Sequence, residues 1–100
     1  MRKKYVISIN NSTKDQEQAF VRYIQDKNWA WWHRLTNTWL IVDARGNSSA
    51  ASIRTDLKEI FANEYSLVIE INGNIDTWAG FGSTRDGKSM FEWLKRNWKT

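Results

Sequence analysis

An α+β domain built on a four-stranded antiparallel sheet is the fold class that the sequence predicts. Three observations lead to it: β-branched and aromatic runs with a period of two, apolar residues at helical spacing between them, and the order of these segments. The chain has 100 residues, so we expect one domain over residues 1–100, with a C-terminal extension from about residue 72. No run approaches the roughly 20 apolar residues that a membrane helix requires, which predicts a protein without a membrane partner.

The first strand and the first helix follow from a change of period. Residues 4–9 alternate, with Tyr5, Ile7 and Ile9 on the side that we expect to be buried. Ser12 and Thr13 are candidate N-caps for a helix that continues to about Lys27. The helix is predicted by apolar residues at helical spacing, namely Ala19, Phe20, Tyr23 and Ile24.

A hairpin is predicted next, from two aromatic and β-branched runs at residues 29–35 and 38–43 that flank Thr36-Asn37. If these two residues form the loop, Arg34 opposes Trp39, and opposed residues share a face. One face is then expected under the helices, with Trp31, His33, Leu35, Leu40 and Val42. The other is expected to be open, with Trp32, Arg34, Trp39 and Ile41. A shift of one residue would exchange the two sets.

A second helix and a fourth strand complete the pattern. Residues 45–48 form a loop with helix-start chemistry, and the stripe Ile53, Leu57, Ile60 and Phe61 predicts a helix that ends near Asn63. In the strand at residues 66–71, we expect Leu67, Ile69 and Ile71 under the helices, and Val68 and Glu70 on the open face beside Val6 and Ser8. The order strand, helix, strand, strand, helix, strand is that of the ferredoxin-like fold, with two helices on one face.

The remainder of the chain is less regular. Residues 76–82 mix bulky aromatics with glycine and predict a packed loop, and residues 83–87 predict a turn-rich stretch. A short C-terminal helix is predicted by Met90, Phe91, Leu94 and Trp98.

Composition excludes several kinds of chemistry. The chain has seven Trp, no Cys and no Pro, so disulfides, thiolate nucleophiles and cysteine-bound zinc are excluded. His33 is the single histidine, which leaves it as a structural residue or a lone acid or base. Among carboxylates, Asp43 alone lies at a strand end, and a magnesium site would need further carboxylates from a symmetric partner. The basic start is followed by a strand rather than a signal core, which predicts a cytoplasmic protein.

The aromatic open face admits three interpretations. Indoles can stack bases while Arg34 binds a phosphate, the face can form a two-fold interface, or the C-terminal tail can cover it. The net charge of +4 favours phosphate-bearing partners. Basic residues cluster at both ends, so that either end can bind phosphates or remain a solvated surface: Arg2, Lys3 and Lys4, then Arg85, Lys88, Lys95, Arg96 and Lys99.

Aromatic motifs extend through almost the whole chain. They are Ala30-Trp31-Trp32-His33, Thr38-Trp39-Leu40-Ile41-Val42, Ile53-Arg54-x-x-Leu57, Trp78-x-Gly80-Phe81 and Trp93-Leu94-Lys95. In these motifs the chain resembles the SinR family of small bacterial and phage proteins. That family looks related to the CRISPR-associated adaptation-subunit endoribonuclease superfamily, which implies a ferredoxin-like homodimer. Members of the superfamily bind a metal through an Asp at the end of strand one, where this chain has the neutral Asn10.

We therefore expect a non-catalytic homodimer that binds a nucleotide or a short nucleic acid, without a metal or cofactor. A phage-type sponge for a cyclic nucleotide immune signal is a variant of this function. Two alternatives stay open, a metal-dependent nuclease and a protein-interaction module that inhibits a host protein. The expected ligand-binding residues are Trp32, Arg34, Trp39, Trp78, Phe81, Arg85 and Lys88.

Overall fold

The computed structural model describes residues 2–72 and 92–98, and the predicted element order is confirmed within them. The elements are β1 (Lys3–Ile9), α1 (Lys14–Asp26), β2 (Ala30–Leu35), β3 (Thr38–Asp43), α2 (Ala50–Ile60), β4 (Ser66–Ile71) and α3 (Glu92–Asn97). The strands form an antiparallel sheet in the order β2-β3-β1-β4, and the fold is ferredoxin-like. The loop and turn expected at residues 76–87 lie outside the described residues.

Both long helices begin with capping boxes. In α1, the Thr13 side chain accepts a hydrogen bond from the Gln16 amide, and the Gln16 side chain accepts one from the Thr13 amide. Ser49 and Ser52 exchange the same pair of bonds at the start of α2. Each box satisfies two amides that the first turn of a helix leaves without partners.

The second helix ends earlier than the sequence predicts. It stops at Ile60 rather than near Asn63, because the backbone of Phe61 leaves the helical region, with φ −113° and ψ 58°. Asn63 then takes a positive φ of 71°, which is a left-handed conformation that asparagine tolerates better than most residues.

The main core lies between the sheet and the two long helices. Phe20 and Ile24 from α1 and Ile53 and Leu57 from α2 are fully covered there. The sheet contributes Tyr5, Ile7, Ile9, Trp39 and Ile41 to the same cluster. Burial of these side chains is the main source of stability in a domain that has no cysteine to form a disulfide.

The hairpin register differs from the predicted one beyond the turn. Leu35 pairs with Thr38 as predicted, but Trp32 then pairs with Leu40, so two residues of β2 oppose the single residue Trp39. This is a β-bulge, which places one extra residue in one strand and moves the pairs beyond it by one position.

Because of the bulge, the β3 residues lie on the faces opposite to those predicted from the turn. Trp39 and Ile41, predicted on the open face, lie in the helix-covered core. Leu40 and Val42, predicted under the helices, lie on the opposite face. The prediction was also wrong for Leu35, which is exposed.

The faces of β4 are also the reverse of the prediction. Ile7, which lies under the helices, pairs with Val68, and Ser8 pairs with Leu67. Because opposed residues share a face, Val68 lies under the helices while Leu67 and Ile69 face away from them. A period of two shows which residues share a face, and the pairing with β1 decides which face that is.

The short helix α3 covers part of the sheet face opposite to the two long helices. Leu94 and Trp98 are buried against Trp32 and Val42, and form a second apolar cluster. The C-terminal helix expected from the sequence is therefore present at Glu92–Asn97, and its apolar side faces the sheet.

Basic residues near the N-terminus hold this helix in place. The Arg2 guanidinium donates to the Asn97 carbonyl, and the buried Lys4 ammonium donates to the Trp98 carbonyl at 2.8 Å. Lys4 also lies 5.5 Å from the centroid of the Trp98 ring, within the range of a cation–π contact. Positive charge at the C-terminal end of a helix satisfies carbonyls that have no partner within the helix.

The helices within residues 2–72 and 92–98 lack the length and apolar content needed to span a bilayer.

Replacing Lys4 tests this anchor. We expect Lys4→Met to lower the free energy of unfolding by about 1–3 kcal/mol, because the Trp98 carbonyl loses a charged donor. The emission maximum of the folded variant should move to longer wavelength as Trp32 and Trp98 gain contact with water. Lys58→Met, on an exposed position of α2, is the control. An unchanged emission spectrum and unchanged urea unfolding in Lys4→Met would contradict the anchor.

Candidate functional site

Most tryptophan rings of the described residues are covered by protein. Trp39 is 2% exposed and Trp32 is 6% exposed. Trp32 does lie on the face away from the long helices, as predicted, but α3 covers it. Of the three interpretations of the open face, coverage by the C-terminal tail therefore describes the surroundings of Trp32. Trp39 lies on the other side of the sheet.

The bulge in β2 forms an aromatic stack near the edge of the sheet. The His33 imidazole lies parallel to the Trp39 indole, with ring centroids 3.6 Å apart and planes 9° apart. Phe20 contacts Trp39 edge-on, at 4.7 Å between centroids. The His33 Nε2 atom lies 3.1 Å from the Thr36 carbonyl oxygen, and since that oxygen only accepts, Nε2 carries the proton in this bond. His33 itself is partly exposed.

A groove of about 540 Å³ lies between this stack and α1. Lys14, Gln18 and Arg22 follow each other at intervals of four residues, which places them along one side of the helix. Together with His33 and Trp39 these three side chains line the groove. The helix side of the groove thus carries two cations, together with Glu17, and the sheet side carries two aromatic rings.

A second, smaller cavity of about 210 Å³ continues along the β2 edge. Arg34 and Leu35 line it, and Glu17 and His33 line both cavities. Three of the predicted ligand-binding residues, Trp32, Arg34 and Trp39, lie in the described part of the chain. Of these, Arg34 is exposed and lines a cavity, whereas the two tryptophans are buried. The surface formed by Lys14, Glu17, Gln18, Arg22, His33 and Arg34 is called the α1–β2 groove below.

The cations of the α1–β2 groove are available for a ligand. Within residues 2–72 and 92–98, Lys14, Arg22 and Arg34 take part in no hydrogen bond or ion pair, and the one ion pair found there is Glu92–Arg96. By contrast, Lys3 donates to the Ser48 carbonyl at 2.6 Å, as Arg2 and Lys4 donate to α3. The basic residues at positions 2–4, one of the two candidate phosphate-binding patches, are therefore engaged in internal contacts.

A third cavity, of about 420 Å³, lies where the C-terminal end of α1 meets the start of α2. The Tyr23 hydroxyl donates to the Asp56 carboxylate at 2.6 Å. Burial, and then this bond, raise the pKa of Tyr23 far above its ordinary value. Lys27 and Arg45 line the cavity beside Asp26 and Asp56. Its walls therefore carry two charges of each sign, and Lys27 already lies 5.7 Å from the centroid of the Tyr23 ring.

Asp43, the carboxylate predicted at a strand end, organises the loop between β3 and α2. Its Oδ1 accepts from the Arg45 and Gly46 amides at 3.1 and 3.0 Å, and its Oδ2 accepts from the Ser48 amide and hydroxyl. Burial opposes its ionisation, but these bonds together lower the pKa of Asp43. Asp43 is therefore committed to the loop.

Asn10 has a structural role as well. Its Oδ1 accepts from the Tyr65 amide at 2.9 Å, and its own amide donates to the Tyr65 carbonyl at 3.1 Å. These bonds join the end of β1 to the start of β4. Among the described residues, no three His, Cys, Asp or Glu side chains are grouped closely enough to hold a metal ion.

The other residues expected to bind ligand lie outside the described residues. They are Trp78, Phe81, Arg85 and Lys88. Lys14 and Arg22 were not among the predicted residues, although the four-residue spacing of Lys14, Gln18 and Arg22 indicates one polar side of a helix. The sequence placed His33 and Trp39 on opposite faces of the sheet, whereas the bulge brings the two rings together beside α1.

No family model, no curated protein and no solved structure matches this chain. Membership of the SinR family therefore stays a prediction, and the function must be argued from the site.

The role of Asp43 gives a pH-dependent prediction. At neutral pH we expect Asp43→Asn to lower the free energy of unfolding by about 2–3 kcal/mol, since the amide cannot accept both Ser48 bonds. The pKa of Asp43 is lower in the folded chain than in the unfolded one. Its stabilisation is therefore complete above about pH 4 and is lost as the pH falls through the folded-state pKa.

Denaturant unfolding of both proteins from neutral pH to about pH 3 checks this. The difference between wild type and Asp43→Asn should shrink as the pH falls. Glu59→Gln, an exposed carboxylate on α2, should differ little from wild type throughout. A difference that stays constant with pH would show that the Asp43 charge has no part in stability.

Proposed function

We propose that this protein binds a nucleotide or a short single-stranded nucleic acid in the α1–β2 groove, without catalysis. The observation that carries the proposal is a partly exposed imidazole, stacked on Trp39, between cations that have no partner among the described residues. Aromatic faces stack bases, and cations bind the phosphates that accompany them.

The charges of the groove support a phosphorylated ligand. Lys14, Arg22 and Arg34 contribute three positive charges, and Glu17 contributes one negative charge. An arginine donates two parallel hydrogen bonds to a phosphate, which a lysine cannot do with the same geometry. The groove therefore attracts an anion, and the two arginines can fix its orientation.

The size and shape of the groove also support the proposal. Its larger cavity, of about 540 Å³, lies within the range of small-molecule sites, roughly 300–1,000 Å³. The wall along β2 is rigid, because His33 is held between the Trp39 ring and the Thr36 carbonyl. A base placed on the outer face of His33 would extend the parallel stack of His33 on Trp39.

Binding without cleavage is proposed because the strand-one position carries an amide that is already occupied. The Asn10 oxygen accepts a backbone hydrogen bond from Tyr65, and an amide carries no negative charge with which to bind a metal. A cyclic dinucleotide, as a sponge would bind, contains the same bases and phosphates and belongs to the same ligand class.

Titration of tryptophan fluorescence with nucleotides and a short oligonucleotide tests the proposal. We expect Arg34→Ala to weaken binding about tenfold, or ~1.4 kcal/mol, and to reduce the salt dependence of the affinity. The free energy of unfolding should change by less than about 0.5 kcal/mol, because Arg34 is exposed and makes no hydrogen bond or ion pair among the described residues.

Arg54→Ala is the matched control, since Arg54 is an exposed arginine on α2, away from the groove. It should bind as wild type does. Equal weakening in both variants would indicate nonspecific attraction by net charge. No binding of any nucleotide or oligonucleotide would contradict the proposed function and favour a protein partner.

We further propose that two copies associate through β4. This strand is an outer strand of the described sheet, with unpaired backbone groups along one side. Tyr65, Leu67 and Ile69 are 85%, 58% and 46% exposed, and Leu67 and Ile69 lie on the face away from the long helices. Antiparallel pairing of β4 with its copy about a two-fold axis would satisfy the backbone and bury both leucines.

Leu67→Lys tests the association. Placing like charges across the two-fold axis should weaken it by about 2 kcal/mol or more. Sedimentation or light scattering over a range of protein concentrations measures the dissociation constant of the dimer for each variant. Leu35→Lys is the control, because Leu35 is 51% exposed on the opposite outer strand. A monomeric wild type, or dissociation by Leu35→Lys and not by Leu67→Lys, would contradict the role of β4.

A further inference from the structure

We infer that the α1–β2 groove prefers guanine to the other bases and that Glu17 is the residue that reads it. This inference rests on the proposed function, since it assumes that a nucleotide occupies the groove. It adds the identity of the base and a role for the one anionic side chain there.

The position of Glu17 is the first support. Glu17 and His33 are the two residues that line both cavities, so they lie where the cavities meet. Lys14 and Arg22 line the larger cavity, and Arg34 lines the smaller one. A base stacked on His33 would therefore present its edge near Glu17 while its phosphate reaches one of the cations.

The hydrogen bonds of Glu17 are the second support. Its Oε2 accepts from the Ser12 hydroxyl at 2.7 Å, which holds the half-buried side chain in one orientation. Within the described residues, Oε1 accepts no hydrogen bond. A carboxylate only accepts, so the group that completes the Glu17 contacts must be a donor.

The base edges differ in the donors that they offer. Guanine presents two adjacent donors, N1–H and the exocyclic N2 amino group, which match the two oxygens of a carboxylate. Adenine and cytosine place an acceptor ring nitrogen beside their amino group, and uracil places a single N–H between two carbonyls. Acceptors next to a carboxylate are repelled, and a good bidentate pair discriminates against the wrong base by about ten- to a hundredfold.

Stabilisation of α1 would be another reason for an acid at position 17. Asp15 and Glu17 both lie in the first turn, where a negative charge interacts favourably with the helix dipole. Asp15 is exposed and does not line the groove. It therefore separates the helix effect from the base contact.

The experiment measures the affinities of guanosine, inosine and adenosine 5′-monophosphates for wild type, Glu17→Gln and Asp15→Asn. We expect wild type to bind the guanosine nucleotide about ten- to a hundredfold more tightly than the adenosine nucleotide, with inosine, which lacks the amino group, between them. Glu17→Gln should bind guanosine more weakly and adenosine more tightly, because a negative charge near the phosphate is removed. Asp15→Asn should keep the wild-type preference.

Each other outcome has a distinct meaning. Equal binding of all three nucleotides by wild type overturns the guanine preference and leaves the proposed function standing. A preference that persists in Glu17→Gln, or that is lost equally in Asp15→Asn, overturns the role of Glu17. No binding of any of the three, nor of the oligonucleotide, overturns the proposed function itself. Circular dichroism of the variants confirms that α1 is intact.

Discussion

One extra residue in β2 decides which of two neighbouring tryptophans faces the long helices. Trp39 lies under the helices because it pairs with Ile7 of β1, and the bulge opposite Trp39 turns Trp31 to the same face and Trp32 to the other. The same bulge brings an imidazole parallel to the Trp39 indole and leaves a guanidinium at the edge of the sheet. The core and the candidate site are thus two results of a single irregularity. Bulges often have this effect, since they redirect side chains at sheet edges and near sites.

The basic residues divide into two groups with different surroundings. The first group, Arg2, Lys3 and Lys4, donates hydrogen bonds to backbone carbonyls. These carbonyls lie at the end of α3 and in the loop before α2, where regular secondary structure provides no donor for them. Lys14 and Arg22, spaced along α1, have no such acceptor among the described residues. An internal contact uses the donors of a cation and leaves little for a ligand, whereas an unpaired cation beside a groove still attracts anions. The charge of +4 therefore says less about function than the surroundings of each cation.

The sequence was sufficient for the fold but not for the faces of two strands. Capping at Thr13 and the apolar spacing of Phe20 and Ile24 are local signals, so α1 was predicted closely. Trp39 was placed on the wrong face because a bulge depends on packing across the sheet, which no local pattern records. Leu67 was misplaced because β4 carries apolar residues on both faces, and its pairing with β1 made the choice. Arg34 was a candidate from the sequence, whereas the groove beside it depends on the bulge and α1 together and has no local sequence signal.

The attachment of α3 has a consequence for the order of folding. The bond between Lys4 and Trp98 joins residues that are 94 positions apart in the chain. Closing so long a segment costs more entropy than forming α1 or the hairpin, so α3 is expected to dock late, on a sheet that already exists. Until α3 docks, Trp32 and Val42 are exposed to solvent on the newly formed sheet. A nascent chain in that state is prone to self-association.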